Sequence, residues 1–136
     1  MRKTVTYSLI ILAYVNLVPY VCRMWRGFDF VAQYLPDKGH LISGICFFGG
    51  FASLPAIPLF VVFLCRKNIP ITFVTSIIVA TALLVFWHYD YDLATDAQAA
   101  AGLIFIPLYA ATITGVIAAI TGSIEFLIRR RNKVNP

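Results

Sequence analysis

One set of side chains is of types and spacing that could hold a cation or relay a proton: His88, Asp90, Asp92 and Asp96 in the stretch HYDYDLATDAQ, with Asp37 and His40 upstream. Carboxylates supply hard oxygen ligands for a divalent cation, and imidazole titrates near neutral pH. Asp90 and Asp92 nevertheless alternate with tyrosines, and nothing in their spacing fixes a geometry. A solvated acidic outer loop is the plainer reading, so neither a metal site nor a cofactor is expected. Cys22, Cys46 and Cys65 form no CxxC pair and no metal-ligand spacing. They read as small buried hydrophobes, and only Cys22 with Cys46 is geometrically open to pairing, in an oxidising compartment. The chain holds no HExxH, no GxSxG and no nucleotide-binding glycine loop, so a non-enzymatic role is expected.

The elements that must position these residues are apolar. Of 136 residues, 60% are hydrophobic and 12% charged, against about 45–50% and 25% in a soluble domain. Apolar runs cover about residues 5–22, 41–65, 69–87 and 99–128, and about 20 apolar residues cross a bilayer core as a helix. The expectation is an all-α polytopic membrane protein: one domain, a four-transmembrane-helix bundle. Arg2 and Lys3 before the first run suggest a signal peptide, but Pro19, Tyr20 and Val21 offer no small residues for cleavage, so this run reads as a retained span.

Arg2, Lys3, Arg66, Lys67, Arg129, Arg130, Arg131 and Lys133 fall on one side of such a bundle, against Arg23, Arg26 and Lys38 on the other. Positive loops stay inside, which predicts both termini in the cytoplasm and a multi-pass protein of the inner (cytoplasmic) membrane. The net charge of +5 then belongs to span ends meeting the lipid bilayer, and no nucleic-acid partner is expected. Trp25, His88, Asp90, Asp92 and Asp96 are expected outside. Between Arg23 and His40, Phe28, Val31 and Leu35 share a helical face with Asp29 as a candidate N-cap, which fits an interfacial amphipathic segment as well as an ordinary loop.

Small residues recur at helical spacing within the runs: Gly49 and Ser53; Thr72, Ser76 and Ala80; and Ala111, Gly115, Ala119 and Ser123, with Ala118 and Gly122 on an adjacent stripe. In lipid, close backbone approach at such stripes holds helices together, because apolar burial alone gains nothing there. Asn16 is expected to bond a neighbouring helix. Pro55 and Pro58 predict a kink, Pro70 suits the first turn of a helix, and Pro107 perturbs the last span. Glu125 is placed to pair with Arg129 one turn on, as an interfacial charge. No span carries a charge in its middle, which argues against a proton-coupled exporter of the small four-helix multidrug type.

The segment TDAQAA from Thr95 to Ala100, with LIFIPLYA from Leu103 to Ala110, resembles one that recurs before the last helix of small bacterial inner-membrane proteins. The four-span plan is similar to that of immunity proteins that protect the cell envelope from pore-forming toxins. These resemblances imply an interaction protein of immunity or exclusion type, engaging a membrane-embedded protein partner or a second copy of itself. They carry over no functional residue. The alternative is a small oligomeric channel or transporter subunit using the kinks at Pro55, Pro58 and Pro107.

Overall fold

The computed structural model describes residues 2–27, 49–67, 69–89 and 99–134. They form α1 (Arg2–Arg26), α2 (Ala56–Cys65), α3 (Pro70–Tyr89) and α4 (Ala99–Val134), with no strand among the described residues. Helices α1, α3 and α4 are long and apolar enough to cross a membrane, and α2 completes a shorter apolar helical stretch, Gly49–Cys65. Their outer faces carry large apolar side chains such as Leu9, Ile71 and Phe86, all well exposed. Such a surface suits lipid, where a helix satisfies its own backbone and its outer face meets hydrocarbon.

Local chemistry sets the helix ends. Helix α1 runs on to Arg26 and stops at Gly27, whose φ of 92° is the left-handed conformation that glycine adopts without strain, and Gly27 N donates to Met24 O at 3.1 Å. Arg23 and Trp25 therefore belong to the last turns of α1, not to a loop. Pro70 opens α3, where its missing N–H has no helical partner to lose. At the expected kink, residues 53–55 form a turn in which Leu54, Ala56 and Ile57 donate to carbonyls three residues back at 3.0, 2.9 and 3.0 Å. Pro55 lies in that turn and Pro58 in the first turn of α2, so neither interrupts a helix interior.

Helix α3 packs against all three others and α2 touches α1, α3 and α4, whereas α1 and α4 do not meet among the described residues. Tyr14 lies against Thr81 and Arg23 against His88, so α1 and α3 run the same way. Thr72 meets Glu125 while the Trp87 ring lies tilted 6.2 Å from that of Tyr109, so α4 runs the opposite way. The ring series Tyr7, Phe63, Phe73, at 5.4 and 5.9 Å, sets the end of α2 beside the starts of α1 and α3. Arg66 crowns that series, 3.8 Å from the Phe63 ring centre. The core between the helices is Val15, Leu59, Ala80, Leu84 and Ala110.

Candidate functional site

The starts of α1 and α3 and the end of α4 form the more basic end of the bundle, and a buried carboxylate organises it. The first turn of α3 has backbone donors with no helical acceptor and a partial positive charge. Glu125 of α4 supplies the acceptor: Ile71 N donates to Oε1 at 3.3 Å, Thr72 N to Oε2 at 2.9 Å and Thr72 Oγ1 to Oε2 at 3.0 Å. Arg129 Nη2 lies 3.2 Å from Oε1, the pairing its spacing predicts. Glu125 is therefore more than an interfacial charge paired along its own helix, because it caps a neighbouring one. Sequence reading misses this contact, since the two partners lie 53 residues apart.

That cap sets the rotation of α4 about its axis. The face turned inward with Glu125 is Ala118, Thr114, Ala110 and Ile106, seven, eleven, fifteen and nineteen residues back. The stripe expected to pack, Ala111, Gly115, Ala119 and Ser123, is turned aside instead: Ala111 and Gly115 are half-buried, and Ala119 and Ser123 are exposed. A side-chain carbon added at Gly115 would lie 3.9 Å from Pro58 Cβ, an ordinary contact, so the fold does not need a glycine there. Gly115, Ala119 and Ser123 of the stripe form one wall of an open apolar groove of about 540 Å³ between α2 and α4, with Pro58, Val62 and Phe126 opposite or beside them.

On α3 the small-residue stripe lies inside. Thr72, Ser76 and Ala80 are buried, and the same spacing carries on through Leu84 to His88. His88, expected in the outer loop, is thus the last buried position of α3, because the helix continues past Trp87 for another two residues. Arg23, 1% exposed, donates from Nη2 to His88 Nδ1 at 3.0 Å. It stands four residues beyond buried Pro19 and eight beyond buried Val15. The spacings 15, 19, 23 and 80, 84, 88 were the signals available in the sequence; their polar last members disguised them.

Gly49 and Ser53 lie in the stretch that leads into α2. An added carbon at Gly49 meets nothing within 4 Å, so none of the described helices approaches closely there. Ser53 falls in the turn, donates to Gly49 O at 2.7 Å and receives Asn16 Nδ2 of α1 at 3.0 Å. Ser53 N also donates to Gly49 O at 3.1 Å, so the pair keeps helical spacing up to the turn. Trp25 is exposed in the last turn of α1, and Cys22 and Cys65 are free thiols. Asp90, Asp92, Asp96, Asp37, His40, Cys46 and the segment 28–36 lie outside the described residues. Among the described residues no three His, Cys, Asp or Glu side chains gather as a metal site. Comparison with protein-family models, curated proteins and solved structures finds no match to the chain.

Proposed function

We propose that the chain is a non-enzymatic, multi-pass protein of the bacterial inner membrane that recognises a membrane-embedded partner through the groove between α2 and α4. Four crossings are proposed, the stretch that ends in α2 being the second, with both termini in the cytoplasm. Arg66, Lys67 and Arg129 to Arg131 at one end of the bundle support that orientation. The observation that carries the recognition is the stripe of Gly115, Ala119 and Ser123, which the bundle leaves open along the groove. A transmembrane helix laid against such a stripe gains close dispersion contact that flexible lipid tails match poorly. The occupant is a helix of a different membrane protein, and in the immunity form of the reading that protein is a pore-forming toxin.

Gly115→Leu fills the groove without touching the Glu125 cap. Bundle stability in mixed micelles is expected to stay within about 0.5 kcal/mol of the parent, while a cysteine placed at Ala119 loses its crosslink to the partner in native membranes. A crosslink that survives the leucine would overturn the reading, and crosslinks between two copies alone would reassign the groove to self-association.

A further inference from the structure

A second, much smaller cavity, about 30 Å³, lies toward the end of the bundle that holds Arg23, with Asn16, Tyr20, His88, Leu103 and Pro107 in its wall. His88 is 2% exposed and its Nε2 has no hydrogen-bond partner. The tautomer follows from its other nitrogen. A guanidinium only donates, so Nδ1, 3.0 Å from Arg23 Nη2, accepts, and the neutral ring carries its proton on Nε2. The wall thus contains a buried N–H donor with nothing to receive it.

The same wall contains acceptors. Pro107 has no N–H, so the Leu103 carbonyl, four residues back in α4, lacks its helical donor. Asn16 spends its amide nitrogen on Leu12 O at 2.9 Å and on Ser53 Oγ at 3.0 Å, which leaves its carboxamide oxygen as an acceptor. The volume is that of about one water, and an internal water needs two to four polar partners. We propose that this cavity is a binding site for a single internal water, which accepts from His88 Nε2–H and donates to Leu103 O and Asn16 Oδ1. The water joins α1, α3 and α4, and so links the two helices that do not otherwise meet. Ordered water is one of the groups that satisfy freed carbonyls beside a proline in a membrane helix, with hydroxyls and neighbouring helices.

Solid-state NMR of the full chain in lipid bilayers, ¹⁵N-labelled at histidine in a His40→Gln background, reads this site directly. The expected result is a neutral His88 ring protonated at Nε2, with a strong magnetisation transfer from bound water to that N–H. An Nδ1–H tautomer, or an Nε2–H silent toward water, would overturn the proposal. Pro107→Ala returns a backbone donor to the Leu103 carbonyl and favours the helix, so it should fold. A loss of half or more of the water transfer is expected in that variant, and an undiminished transfer would also count against the site.

Discussion

The two ends of the bundle each bury a polar side chain against a neighbouring helix, and they satisfy it to different degrees. At one end Glu125 collects donors from Ile71 N, Thr72 N, Thr72 Oγ1 and Arg129 on its two oxygens. At the other, His88 takes the guanidinium of Arg23 on one nitrogen, while its second nitrogen has no protein partner and the residue forms part of the wall of a small cavity. A carboxylate saturated by a helix start is a clamp: charge-assisted bonds and the helix dipole act together, and nothing remains to be bound. An imidazole with one nitrogen engaged keeps a second polar atom for a further partner. The first end fixes how α4 is rotated; the second has room for a guest.

The largest effect is expected from breaking the closed end. Glu125→Ala strips the buried Thr72 N–H and hydroxyl and the part-buried Ile71 N–H of their acceptor, and should lower bundle stability by about 3 kcal/mol in a denaturant titration in mixed micelles. The open end should be less costly to disturb. Arg23→Met leaves His88 Nδ1 without its donor, at about 2 kcal/mol by the same titration. A loss larger than that of Glu125→Ala would invert the comparison. Between the two ends sits Thr114, fully buried with no partner for its hydroxyl. Thr114→Val keeps its shape and removes the unmet group, so a gain of about 1 kcal/mol is expected, read as a raised unfolding midpoint. The smallest effect belongs to Tyr14, whose hydroxyl donates to Thr81 Oγ1 at 2.5 Å, because Thr81 gives its own proton to Ile77 O. Tyr14→Phe should lose about 0.6 kcal/mol, the usual worth of one hydrogen bond between helices in lipid.

Composition and run length alone dictate apolar helices, since a chain this rich in hydrophobic residues meets lipid favourably and must close its backbone bonds internally. Local rules likewise foretell the Pro70 start, the break near Pro55 and the Glu125 to Arg129 pairing, each depending on residues within a turn or two. Periodicity identifies stripes, yet it does not say which of two adjacent stripes faces in. On α4, Ala111 to Ser123 and Ala110 to Ala118 are both small and both spaced by four. Only the contact between Glu125 and the start of α3 decides between them, and it joins residues no local pattern relates. The same holds for Arg23 and His88. By type and position they read as loop residues, and they become a buried pair because α1 and α3 lie side by side, running the same way. Sequence determines what the helices are made of; the rotation of each about its own axis is settled by polar groups that must find partners across the bundle, where bulk water does not reach them.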